Sequence, residues 1–101
     1  MNPAIENKMG AIRQILAGNH VKRAYLFGSM TNAQAPGKSD VDSFIEFDPE
    51  LSIEEYGSSY FLILEQLEDS LDRSVDLLNG RSLRNPVFIH EIESTRIPIF
   101  G

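Results

Sequence analysis

Leu26-Phe27-Gly28-Ser29 and, eleven residues after Ser29, Asp40-Val41-Asp42 form the stretch that decides how this chain is read. The first segment closes an apolar run that begins at Val21. In an extended chain Ala24 and Leu26 lie on one side of that run, and Tyr25 and Phe27 on the other. The second segment opens another strand-like run, Val41 to Phe47. Between them, Ala35-Pro36-Gly37-Lys38-Ser39 has the composition of a loop, preceded by a short helical turn over 29–34. Residues two apart in a strand project to the same side, roughly 6.5–7 Å apart. Asp40 and Asp42 are therefore expected side by side, near a glycine turn.

Toward the N-terminus, Ile5, Met9, Ile12 and Leu16 recur at spacings of four, three and four. They predict one amphipathic helix over 4–17, stopped by Gly18-Asn19. After Phe47, Asp48-Pro49 breaks the strand and Ser52-Ile53-Glu54-Glu55 reads as a capping box. Tyr56, Tyr60, Leu64, Leu67 and Leu71 then form one stripe of a long helix, which is a packing face. Ser74 to Leu78 predicts a third strand closed by Asn79-Gly80. Asn85-Pro86 caps a short last helix, and Ile97 to Phe100 is a terminal apolar segment. The order predicts a small mixed α/β sheet with helices packed on it, as a single domain over residues 1–101.

Composition narrows the chemistry. The 42% hydrophobic content of these 101 residues supports a folded core. A net charge of −6 gives no general attraction to nucleic-acid phosphates, and Lys22-Arg23 and Arg81/Arg84 are scattered pairs, so direct nucleic-acid binding is not expected. The absence of cysteine excludes disulfides, thiolate zinc sites and cysteine nucleophiles, and His20 and His90 stand too far apart for a His-based zinc site. There is no membrane-length apolar run and no signal-peptide pattern, which makes a cytoplasmic protein the expectation.

Asp40 and Asp42 open a strand that is otherwise mostly apolar. Like charges held together are tolerated when a cation sits between them. Mg²⁺ takes carboxylate oxygens and completes its shell with water and substrate phosphates. Asp76 stands alone in the apolar run Val75-Asp76-Leu77-Leu78, where an isolated carboxylate needs a partner or a purpose. If its strand neighbours that of Asp42, three carboxylates converge, the minimum for a two-metal site. Gly28 lets a phosphate approach the backbone, and a turn starting at Ser29 aims N–H groups at it. Other polar residues rank lower. His90-Glu91 is assigned a surface or interface role because adjacent helical residues do not face each other. His20 is expected solvated in a turn, Arg73 in a solvated pair with Asp72, and Glu46 at most at the edge of the site.

Taken together, Gly28-Ser29, Ser39-Asp40-Val41-Asp42, Ser43 to Phe47 and Val75-Asp76-Leu77 resemble the minimal nucleotidyltransferases of the DNA polymerase beta superfamily, which include antitoxin subunits that accompany HEPN-domain toxins. The resemblance covers nearly the whole chain and implies a polymerase-beta-like palm. It also implies transfer of a nucleoside monophosphate, AMP from ATP, to a hydroxyl with two Mg²⁺ ions; in some members the acceptor is a tyrosine of the toxin. By resemblance, Asp40 and Asp42 match the metal ligands, and Asp76 matches the third carboxylate, which also helps deprotonate the acceptor. Gly28 and Ser29 match the residues that hold the triphosphate. Members commonly carry an arginine and a second glycine soon after Gly-Ser. Here Met30-Thr31-Asn32-Ala33-Gln34 follows, and Lys38 is the nearest countercharge, with Arg81 and Arg84 more remote. That departure leaves open an alternative of another class: a binding subunit with weak or no catalysis, which neutralises a partner by covering it. A nucleotide sensor without turnover is a third reading. A palm of this size has no second lobe to clamp a base or an acceptor, so a HEPN-type toxin or a second copy is expected as partner.

Overall fold

The computed structural model describes residues 1–31, 40–80 and 83–101. Lys38, Arg81 and the expected loop over 35–39 lie outside the described residues. The elements in chain order are α1 (Pro3–Glu6), α2 (Met9–Ala17), β1 (Val21–Phe27), a 3₁₀ turn (Gly28–Thr31), β2 (Val41–Phe47), α3 (Ile53–Leu71), β3 (Val75–Asn79), α4 (Pro86–Thr95) and β4 (Ile97–Phe100).

The strands form one mixed sheet in the order β3-β2-β1-β4, with β2 and β3 parallel and the other pairs antiparallel. The parallel pair is possible because α3 makes the crossover between β2 and β3. Alternation along the strands divides the side chains between two faces. Ala24, Leu26, Val41, Ile45, Val75 and Leu77 form the main core beneath α1, α2 and α3. Tyr25, Phe27, Phe44 and Leu78 lie on the opposite face, where α4 covers them with Phe88 and Ile92. The alternation expected for β1 is therefore observed.

The expected helix over 4–17 is two helices. The Lys8 N–H turns back to the Ile5 carbonyl at 3.0 Å, and Lys8 leaves the helical region at φ −106°, ψ 7°. The apolar spacing runs through this break, since Ile5, Ile12 and Leu16 are all buried. Periodicity reports which side faces the core and is blind to a one-residue interruption.

Helix α3 begins where the capping box places it. The Glu55 N–H donates to Ser52 Oγ at 3.2 Å, and the Ser52 hydroxyl donates to the Glu55 carboxylate at 3.0 Å. Ser52→Ala is expected to destabilise the fold by about 1 kcal/mol, lowering Tm by about 4–8 °C in thermal denaturation. The buried line of this helix is Ser59, Ile63, Leu67 and Leu71, with Tyr56, Tyr60 and Leu64 along its flank. The tyrosines flank the core because their hydroxyls need polar partners. The Tyr60 hydroxyl donates to the Leu77 carbonyl at 2.8 Å, and the Tyr56 hydroxyl accepts from the Asn79 side chain.

The expected Asp72–Arg73 ion pair does not form. Asp72 caps α3 in the left-handed region at φ 53°, and Arg73 Nη1 is buried without a hydrogen-bond partner. His20 is exposed in the turn before β1, as expected, with φ 66°.

Candidate active site

The site is built where β1 ends and β2 and β3 begin. In the sheet register Phe27 stands opposite Asp42, and Asp42 stands opposite Asp76. Both carboxylates therefore sit on the face away from the main core. Val41 and Ser43 point inward around Asp42, and Val75 and Leu77 do so around Asp76. Asp42 is half-buried, whereas Asp76 and Asp40 are exposed. Burial pushes the Asp42 carboxyl above its ordinary pKa, and the negative charges of Asp76 and then Asp40 push it the same way.

Gly28 presses directly on this carboxylate. Its φ is +74°, and a Cβ at this position would stand 2.5 Å from Asp42 Oδ2. Only glycine combines that backbone angle with that approach. The chain then enters the 3₁₀ turn that contains Ser29, closed by the Thr31 hydroxyl donating to the Gly28 carbonyl at 2.7 Å.

Asp42, Asp76 and Gly28 line a cleft of about 390 Å³. Phe27, Leu78 and Phe88 supply its apolar wall, and Glu91 and Thr95 of α4 supply the remaining side. Both residues of His90-Glu91 are exposed, as a surface or interface role requires, and Glu91 also borders the cleft, which His90 does not line. Asn85 fixes the start of α4 by accepting from the Val87 N–H at 2.9 Å, and Phe88 and Ile92 anchor the helix to Phe27 and Phe44. Phe88, Glu91, Ile92 and Thr95 recur at helical spacing, which sets the exposed Glu91 and Thr95 beside the two residues that pack on the sheet. Glu46 was expected at the edge of the site but is held by Arg23 at 2.9 Å and does not line the cleft.

Asp40 immediately precedes β2, close enough to raise the Asp42 pKa. Among the described residues no three His, Cys, Asp or Glu side chains are grouped so that they could hold a metal ion, so the expected convergence of three carboxylates is observed only for the pair Asp42 and Asp76. Mg²⁺ binds through one or two carboxylates and takes its other ligands from water and substrate phosphates. The facing Asp42 and Asp76, with the Asp42 pKa raised by burial and then by the charge of Asp76, are oxygen donors of the kind that hard cations take.

Residues 11–101 match the sequence profile of the family described as polymerase beta, nucleotidyltransferase. The chain belongs to this nucleotidyltransferase family. A protein of Methanocaldococcus jannaschii to which protein adenylyltransferase activity is attributed is 36% identical to this nucleotidyltransferase over 77 residues, covering 76% of this chain and 75% of the relative. Similar solved structures include a toxin–antitoxin complex with AMP-PNP, with a TM-score of 0.70 at 24% identity over 92% of this chain and 73% of the other. They also include a Shewanella oneidensis complex of a tri-AMPylated HEPN toxin with its MNT antitoxin, with a TM-score of 0.67 at 21% identity over 95% and 71%. A protein described as a minimal nucleotidyltransferase has a TM-score of 0.70 at 21% identity over 97% and 96% of the two chains. At such identities the solved structures establish a shared fold. None of the described helices of this nucleotidyltransferase is long and apolar enough to cross a membrane.

Proposed function

We propose that this nucleotidyltransferase transfers AMP from ATP to a hydroxyl on a partner protein, a HEPN-type toxin, and that residues 1–101 act as a single catalytic domain in the cytoplasm. The observation that carries this reading is the Asp42–Asp76 register on one sheet face, with Gly28 against the Asp42 carboxylate. The AMP-PNP and tri-AMPylated complexes of the structural relatives, and the adenylyltransferase activity attributed to the M. jannaschii protein, support it.

In this reading Asp40, Asp42 and Asp76 would hold two Mg²⁺ ions. When bound, the metal supplies charge neutralisation at the phosphates and makes the acceptor hydroxyl easier to deprotonate. Gly28, Ser29 and the backbone amides of their turn receive the triphosphate, with Lys38 as its side-chain countercharge. The acceptor oxygen attacks the α-phosphorus, its proton passes to Asp76, and pyrophosphate leaves. Phe27, Leu78 and Phe88 keep water from one side of the cleft, while Glu91 and Thr95 border the other. Catalysis rests on positioning and on fixed charge, without a covalent enzyme intermediate.

The binding-only reading is favoured by one observation: among the described residues no Lys or Arg lines the cleft. Thermal denaturation separates the two readings. Mg-ATP at about 100 times its Kd is expected to add about 2.7 kcal/mol, raising Tm by about 10–20 °C, and Asp40→Asn is expected to remove most of that shift. Label from α-labelled ATP appearing on a HEPN-type partner would establish transfer. A native protein that shows neither shift nor label would leave only the binding role.

A further inference from the structure

The solvent side of α3 carries an apolar surface that the cleft does not use. Ile53 is 84% exposed, Phe61 69% and Leu62 46%. Ile53, Gly57, Phe61, Glu65 and Asp69 recur every four residues and so form one ridge along the helix. A Cβ at Gly57 would meet nothing within 4 Å, so the ridge has a notch between its two large apolar side chains.

The charge around this ridge identifies what fits it. Helix α3 contains Glu54, Glu55, Glu65, Glu68 and Asp69, and no Lys or Arg occurs anywhere between Lys38 and Arg73. Glu68 and Asp69 fall in the last turn, beside the negative end of the helix dipole, with no basic residue in that turn. Carboxylates there destabilise the helix, and a cation supplied from outside would relieve them. Glu68 accepts the Val75 N–H at 3.0 Å and is partly satisfied, whereas Asp69 is exposed. A second copy meeting this face with its own α3 would set carboxylates against carboxylates. The inner side of α3 packs on the sheet face opposite Asp42 and Asp76, so an occupant here leaves the cleft open.

We propose that the outer face of α3 docks a basic amphipathic helix of a partner protein. An apolar side chain of that helix enters the notch at Gly57 beside Phe61 and Leu62, and its Lys or Arg residues face Glu65 and Asp69. The proposal concerns binding on the back of the sheet and does not depend on the transfer chemistry assigned to the cleft.

The test uses the full chain and two fluorescently labelled synthetic helices, each with leucines along one side and either lysines or glutamates along the other. Fluorescence anisotropy is expected to show binding of the lysine helix, weakened by salt, and none of the glutamate helix. Phe61→Ser with Leu62→Ser is expected to weaken binding at least about tenfold. Glu65→Lys with Asp69→Lys is expected to shift the preference to the glutamate helix. All four positions are exposed, so circular dichroism should be unchanged. Equal binding by the serine variant would reduce the interaction to bulk charge and overturn the proposal. So would failure of the lysine helix to bind, or a dimer in sedimentation that the serine variant dissolves.

Discussion

Asp42→Asn is expected to lower nucleotidyl transfer by at least about 10³-fold while making the metal-free protein more stable. Asn keeps the shape of the side chain but removes the charge that would hold a cation with Asp76. The gain in stability follows from the environment of the native carboxylate. Burial and the facing charges of Asp76 and Asp40 raise its pKa above the ordinary 3.8, so the fold disfavours the ionised form. Below 3.8 the group is protonated in both folded and unfolded chains and carries no penalty. As pH rises from there through the elevated folded value, the unfolded chain loses its proton first and the native state loses stability. Above that window the loss is constant. The variant lacks this loss, so its Tm advantage should grow across the window and then level off. Solvent screening limits the gain to about 0.5–1 kcal/mol, or about 2–8 °C. Thermal denaturation without divalent metal over a pH series, alongside a labelled-ATP transfer assay, reads both effects. A variant less stable than the native chain at neutral pH would contradict the electrostatic account of the site.

Gly28→Ala is expected to damage both fold and chemistry. Alanine at φ +74° costs about 1–2 kcal/mol from backbone crowding alone. The new methyl would also stand 2.5 Å from Asp42 Oδ2. The carboxylate can swing away, so the clash is relieved by displacing the group that faces Asp76. A misplacement of about 1 Å can cost on the order of 10²-fold in rate. The expected result is a Tm lower by about 4–15 °C and transfer down by about two orders of magnitude or more. Asp42→Asn and Gly28→Ala thus move stability in opposite directions while both suppress transfer. That divergence separates a charge effect from a steric one.

Much of the architecture was legible because its signals are local. The Ser52 cap, the Asn85-Pro86 start of α4 and the alternation of Ala24, Tyr25, Leu26 and Phe27 all act over a few residues, and the structure places them as expected. The misread features have equally definite causes. The break at Lys8 leaves the apolar pattern intact. The tyrosines of α3 took the flank, where Leu77 and Asn79 offer their hydroxyls partners. The place of Glu91 at the edge of the cleft follows from its relation to Phe88 and Ile92 rather than to His90.

The amino-acid order alone indicated most of the strands and helices, that Gly28 follows the end of one strand, and that Asp42 and Asp76 belong to two others, with Asp40 just before the first of them. Those outcomes depend on side-chain alternation, caps and turn residues within reach of one another along the chain. Only the tertiary structure decided that Asp42 and Asp76, 34 positions apart in sequence, face each other across a parallel pair, that Glu91 borders their cleft, and that Glu46 is taken by Arg23. Strand register and helix docking are set by burying the whole core at once, and no short stretch of sequence contains that information.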